Sequence, residues 1–189
     1  GYNLPMPKPN IFDALAKIFE NQKVSCILVG GFALNAYQVA RQTVDIDFLT
    51  MEEDYRKVIH DILKEGYREG PKSDIFARLE GEKDQIFDID FLFVDYSTFE
   101  KIRASGKKIQ ISGNDFWVPS VEHLIAMKLH AMKQNPAARG AKDLADIVEL
   151  IKANRLNIHS EIFRDLCIEY GGKKWHGRIR EALETGEGV

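Results

Sequence analysis

Cys26-Ile27-Leu28-Val29-Gly30-Gly31 and, a short way downstream, Val44-Asp45-Ile46-Asp47-Phe48-Leu49 decide how this chain is read. The first stretch is a short apolar run ending on two glycines, after which Phe32 to Val39 resume helical spacing: strand, tight turn, helix. The second is a strand with alternating character. Successive strand residues point to opposite faces, so Asp45 and Asp47 share one face while Val44, Ile46 and Phe48 take the other. Two like charges held that close require a cation, and a compact pair of hard oxygen ligands suits Mg²⁺, whose shell substrate phosphates complete. Glycines beside such a strand let backbone approach a phosphate, and the helix that follows offers its N-terminal N–H groups to an anion.

Working outward, Asn10 caps an amphipathic helix that carries Ile11, Phe12, Leu15, Ile18 and Phe19 and ends near Asn21. Residues 44–50 form the acidic strand and 52–64 a helix, with Tyr55, Val58, Ile59 and Ile62 on one face. Gly66 and Gly70-Pro71 break the chain. Residues 75–79 and 85–94 read as a hairpin turning at Glu80-Gly81-Glu82-Lys83-Asp84. Its second strand, Ile86-Phe87-Asp88-Ile89-Asp90-Phe91-Leu92-Phe93, places two more aspartates on one face of an otherwise buried run, where isolated carboxylates rarely persist without a partner. Two metal ions bridged by three carboxylates would clamp the attacking and leaving oxygens of an in-line phosphoryl or nucleotidyl displacement.

Short strands follow at 107–111 and 116–118, and the character changes after Pro119. Ser120 caps a helix whose pattern (Val121, Leu124, Ile125, Lys128, Leu129, Met132) runs to about Gln134, where Asn135-Pro136 ends it. Further helices are predicted over 141–152, 158–170 and 175–183. This order of elements predicts an α/β (α+β) protein: a small mixed β-sheet flanked by helices over residues 1–118, then a C-terminal helical bundle over 119–189 that closes one side of the cleft.

A chain of 189 residues, 44% hydrophobic and 29% charged, has room for one core or a core with a helical appendage. Its net charge of −3 provides no global field for a polyanion, so any nucleic-acid partner needs a local patch. Lys173-Lys174-Trp175-His176-Gly177-Arg178 with Arg180 is such a basic, aromatic-bearing segment, read first as a terminal helix capping the bundle. Cys26 and Cys167 have neither metal-ligand spacing nor a disulfide framework and are expected to be reduced thiols of a cytoplasmic protein. No apolar run approaches a membrane span, and Gly1-Tyr2-Asn3-Leu4-Pro5 lacks a signal-peptide pattern; the absence of Met at the start points to processing or trimming.

His123 and His130 lack the i,i+4 zinc spacing and read as surface or interhelix residues. Arg139, Lys142, Asp143 and Asp146 fit exposed i,i+3 and i,i+4 pairs. Lys128 reads either as a lysine snorkelling from an apolar helix face or as a partly solvated phosphate contact whose loss leaves folding stability nearly untouched.

Gly30-Gly31, Arg41-x-Thr43-x-Asp45-x-Asp47 and the later acidic strand resemble the active-site signature of the polymerase-beta-type nucleotidyltransferase superfamily, in particular the bacterial branch that includes AbiEii-like toxins. Leu124-Ile125-Ala126-Met127-Lys128-Leu129-x-Ala131 and Arg139-x-x-Lys142-Asp143-Leu144-Ala145-Asp146-Ile147 resemble that branch's two helical motifs, so the likeness spans about residues 26–151. The resemblance implies Mg²⁺-dependent transfer of a nucleoside monophosphate from an NTP (ATP, GTP or CTP) to an acceptor hydroxyl on tRNA, a protein or a small molecule. It implies Asp45, Asp47 and Asp90 as ligands of two Mg²⁺ or Mn²⁺ ions and, with Lys128, as the catalytic set. Gly30, Gly31, Arg41, Thr43, Lys128 and Asp143 fall on the nucleotide.

Asp90 matches the third acid because an apolar run follows it, with Asp88 the competitor. Many members carry Gly-Ser in place of Gly30-Gly31, which here removes a hydroxyl contact to phosphate. An antitoxin protein is a further partner that the branch implies. The alternatives are a non-catalytic nucleotide-binding or interaction module and an aminoglycoside-type small-molecule nucleotidyltransferase.

Overall fold

The structure, a computed structural model, describes residues 10–186; the reading of the first five residues lies outside them. The described residues divide into two compact units, one running up to Gly31 and resuming over Thr43–Val118, the other formed by Phe32–Gln42 and the chain from Pro119 onward.

In the first unit, helix α1 (Ile11–Gln22) begins where Asn10 Oδ1 accepts a hydrogen bond from Asp13 N at 3.0 Å, which satisfies one of the orphan donors of the first turn. Strand β1 (Ile27–Val29) runs into helix α2 (Gly30–Ala36), which leads the chain out of this unit. Then follow β2 (Asp45–Thr50), α3 (Glu52–Leu63), β3 (Tyr67–Lys72), β4 (Phe76–Gly81), β5 (Asp88–Phe93), α4 (Tyr96–Ser105), β6 (Lys107–Ile111) and β7 (Asn114–Val118). The seven strands form one mixed sheet in the order β3-β4-β5-β2-β1-β7-β6, with β2 parallel to β5, β1 parallel to β7, and the other neighbours antiparallel.

The two faces of β2 and β5 have opposite chemistry. Ile46, Phe48, Ile89 and Phe91 are fully buried; Phe48 stacks on Phe91 with centroids 5.6 Å apart, Phe19 of α1 meets Phe48 edge-on at 5.2 Å, and Tyr55 of α3 lies 5.2 Å from Phe91. Each such side chain contributes roughly 1.5–3 kcal/mol of burial free energy, so this face anchors the strands firmly. The alternation that sends these residues to the core sends Asp45, Asp47, Asp88 and Asp90 to the other face.

Several local expectations are corrected. Val44, expected on the core face, is 68% exposed because β2 starts one residue later. Ile75 and Ile86 are likewise exposed, since β4 begins at Phe76 and β5 at Asp88. Strand β3 includes Gly70-Pro71, read above as a break; it is a sheet-edge strand, where a proline costs no ladder bond, and its register shifts between Glu69 and Lys72. Helix α4 was not anticipated, although Asp95 caps it by accepting from Thr98 N at 2.8 Å.

The second unit contains α5 (Val121–Gln134), α6 (Pro136–Asn154), α7 (Glu161–Tyr170) and α8 (Lys173–Thr185), with α5 packed on α6 and α7, and α8 on α6 and α7. Helix α6 starts five residues earlier than expected because Pro136 occupies the first turn, where the missing N–H leaves nothing unpaired. Trp175 is buried in this bundle, its ring 3.0 Å from where a Cβ on Gly140 would stand, with Lys174 and Arg178 over it. Its aromatic surface is therefore core. Cys26 and Cys167 are free and buried, and burial pushes both thiols up to about 12, which keeps them unreactive. Among the described residues no helix is long and apolar enough to cross a membrane.

Candidate active site

Register places the acids of the sheet unit. Asp47 lies between Val29 on β1 and Asp90 on β5, Asp45 lies opposite Asp88, and Arg78 on β4 lies opposite Asp90. Arg78, Asp90 and Asp47 thus form a row across three neighbouring strands, with Asp45 one step along. Asp90 is 6% exposed and receives two parallel bonds from one guanidinium, Arg78 Nε to Oδ1 and Nη2 to Oδ2, both 2.7 Å. The same Nη2 stands 3.6 Å from Asp45 Oδ2. Asp88 accepts from Gly81 N at 2.9 Å, so it serves the turn between β4 and β5.

Asp47 carries the electrostatic load. Burial first, then the charges of Asp90 and Asp45, push its carboxyl up to about 7; a hydrogen bond to Asp90 acts in the same direction, and Arg78 opposes them. The glycines of the preceding turn make room for this strand. Gly30 has φ +68°, and a Cβ there would collide with the Asp47 carboxylate; a Cβ on Gly31 would stand 2.9 Å from Thr43 Cβ. Thr43 Oγ1 donates to Asp45 O at 2.8 Å and fixes the entry into β2. Gly30, Gly31, Thr43, Asp45, Asp47 and Asp90 are therefore brought together, and the glycines admit side chains of the neighbouring strand.

Arg41, Lys128 and Asp143 belong to the helical unit. Asn35 fixes the Arg41 backbone from both sides (Arg41 N to Oδ1 2.7 Å, Nδ2 to Arg41 O 3.2 Å), and the Arg41 guanidinium pairs with Asp146. Lys128 Nζ bridges Asp146 Oδ2 at 2.9 Å and Asp143 Oδ1 at 3.2 Å, and Arg139 Nε donates to Asp143 Oδ2 at 2.8 Å. Asp143 and Asp146 are each 1% exposed, which corrects the reading of this segment as solvated pairs. The same contacts correct the snorkelling reading of Lys128, whose burial pushes the ammonium below the usual lysine range against the pull of Asp143.

A model of the family described as nucleotidyl transferase AbiEii toxin, type IV TA system, matches residues 13–186. The chain belongs to that family. No curated protein matches it. Among solved structures, ANT(2")-Ia in complex with adenylyl-2"-tobramycin is 17% identical, covering 93% of this chain and 96% of its own, with a TM-score of 0.54. An antigenic nucleotidyltransferase-like protein from Paracoccidioides brasiliensis is 15% identical over 92% and 90% of the two chains, TM-score 0.58. Lincosamide antibiotic adenylyltransferase LnuA, lincomycin-bound, is 16% identical over 79% and 98%, TM-score 0.53. At these identities the likeness is one of fold.

The AbiEii-family chain is thus a nucleotidyltransferase, and nucleotidyltransferases of this kind generally use divalent metal ions. Its acids fit such ions by donor chemistry: hard anionic oxygens on one face of adjacent strands, one of them with its pKa raised by burial and by the neighbouring acids. Among the described residues no group of three or more His, Cys, Asp and Glu side chains is arranged to hold an ion. Arg78 takes both oxygens of Asp90 and leans toward Asp45. Sequence reasoning missed Arg78. Its one visible signal was a charge between Ala77 and Leu79, both buried.

Proposed function

We propose that this AbiEii-family protein transfers a nucleoside monophosphate from an NTP to an acceptor hydroxyl, with Asp45, Asp47 and Asp90 holding two Mg²⁺ ions, Mn²⁺ being able to replace them. The observation that carries this reading is the row of acids on β2 and β5, where Asp47 lies beside Asp90, its carboxyl raised by burial and by that neighbour. When bound, the ions supply charge neutralisation at the phosphates and align attacking and leaving oxygens. The hydroxyl oxygen forms a bond to the α-phosphorus, the bond from that phosphorus to the β-phosphate oxygen breaks, and pyrophosphate leaves. Asp90, by helping to hold the catalytic ion, would lower the pKa of the attacking hydroxyl, whose proton passes to solvent. Gly30 and Gly31 let the turn lie close to the acid strand, and Thr43 fixes the entry into that strand.

In this reading the protein works in the cytoplasm, which its two free thiols support, and has an antitoxin protein as regulatory partner, which its membership of a type IV toxin family supports. The test is a screen of isotopically tagged ATP, GTP and CTP against total tRNA, total protein and aminoglycosides with Mg²⁺ present. Label transfer to one acceptor class, lost in Asp47→Asn, is expected. No transfer to any acceptor, together with NTP binding unchanged in that variant, would leave a non-catalytic binding module.

A further inference from the structure

Arg78 takes no part in the reading above, yet it makes the most ordered contact of the acid face. A planar guanidinium holding both oxygens of a 6% exposed carboxylate at 2.7 Å is a charge-assisted pair with defined geometry, and it uses the lone pairs that a divalent ion would need. Its Nη2 also lies 3.6 Å from Asp45. Register fixes the arrangement, since Arg78 is paired with Asp90 across β4 and β5, and the buried neighbours Ala77 and Leu79 hold β4 in place. Arg78 is thus an internal cation placed on two of the three acids.

We propose that Arg78 is a positioning residue that competes with the divalent ion for Asp90, so that loading the site requires the guanidinium to release that carboxylate. The inference rests on the metal-binding reading of Asp45, Asp47 and Asp90. Its consequence is quantitative. If Asp90 is unlatched in only a fraction of molecules, the apparent affinity for the ion falls by that fraction. Arg78 thereby sets the cation concentration at which the acids load, and the ion must displace a fixed charge rather than water alone.

The test uses the full chain and Mn²⁺ alone, with free ion measured by electron paramagnetic resonance. Arg78→Gln is expected to bind Mn²⁺ at least ~10-fold more tightly than the wild type, in the range of intersite couplings. Arg68→Gln removes another guanidinium of the same sheet, one that is bonded to Glu80, and is expected to stay within ~2-fold, which separates competition from a general field effect. In the wild type, the Nε–H resonance of Arg78 is expected to shift as Mg²⁺ is added.

Equal or weaker Mn²⁺ binding in Arg78→Gln, with wild-type binding still abolished by Asp47→Asn, would overturn the competition while leaving the metal site intact. Absence of Mn²⁺ binding in both wild type and Arg78→Gln would overturn the metal reading and this inference together. Should Arg78→Gln fail to fold, the resonance decides: an unmoved Arg78 signal while the Asp47 carboxyl carbon responds to Mg²⁺ rules the latch out.

Discussion

The sheet unit and the helical unit each bury aspartates, and they balance them differently. In the helical unit, Asp143 and Asp146 meet three cations, Lys128, Arg41 and Arg139, each acid contacting two. In the sheet unit, Arg78 bonds both oxygens of Asp90 and lies 3.6 Å from Asp45, while burial and the neighbouring charges of Asp90 and Asp45 push the Asp47 carboxyl up to about 7. Burial of a charge is costly unless it is paired. The first arrangement is a closed clamp that stabilises a bundle; the second keeps one buried carboxyl, Asp47, raised by burial and by the acids beside it.

The largest break in this contrast is expected from Lys128→Met. It leaves two 1% exposed carboxylates with one arginine each, and breaking a buried pair costs about 3–5 kcal/mol, so urea denaturation should show a loss of that order. Read from sequence as a partly solvated contact, the same lysine would be dispensable to folding. A change under about 1 kcal/mol would return Lys128 to that reading and erase the contrast.

Asp47→Asn and Asp90→Asn should each lower kcat at least ~10²-fold in the transfer assay, and only Asp90→Asn, which breaks the pair with Arg78, should also lose stability as Lys128→Met is expected to. Asp88→Asn should cost less activity than Asp90→Asn, because Asp88 is bonded to the Gly81 backbone N–H. If Asp88→Asn costs more, the third carboxylate has been misassigned.

The raised Asp47 carboxyl also has a pH signature. Native Asp47 keeps its proton up to about 7, whereas in the unfolded chain it releases it near 3.9, so between these values the native state binds the extra proton. This contribution to stability is present in full below about pH 4 and is lost as pH rises through about 7, a difference on the order of 4 kcal/mol. Thermal melts of Asp47→Asn should lack this slope, and Mg²⁺ should flatten it in the wild type. A wild-type profile no steeper than that of the variant would show that the Asp47 carboxyl is not raised.

A smaller effect is expected from Gly30→Ala. The left-handed φ and the collision with Asp47 together should cost about 1–3 kcal/mol and should weaken Mn²⁺ binding with it. Loss of stability with unaltered Mn²⁺ binding would separate the turn from the acid site.

Much of this contrast could be read in the residues, because its elements are local. Period-two alternation put Asp45 with Asp47, and Asp88 with Asp90, on common faces, and the caps at Asn10 and Ser120 marked helix starts that the structure keeps. The Gly70-Pro71 strand was not readable, since only its edge position makes the proline harmless.

Strand order was beyond the sequence as well. Nothing local says that β5 lies between β4 and β2, yet that order sets Arg78 on one side of Asp90 and Asp47 on the other. Nor does an i,i+4 pattern tell a solvated pair from a buried one; Asp146 is a clamp because Arg41, far away in the chain, folds into the same unit as α6. The sequence determined which side chains share a face, because that depends on neighbours two to four residues away. The tertiary structure alone decided how each buried charge is compensated, because its partners come from elements that only packing brings together.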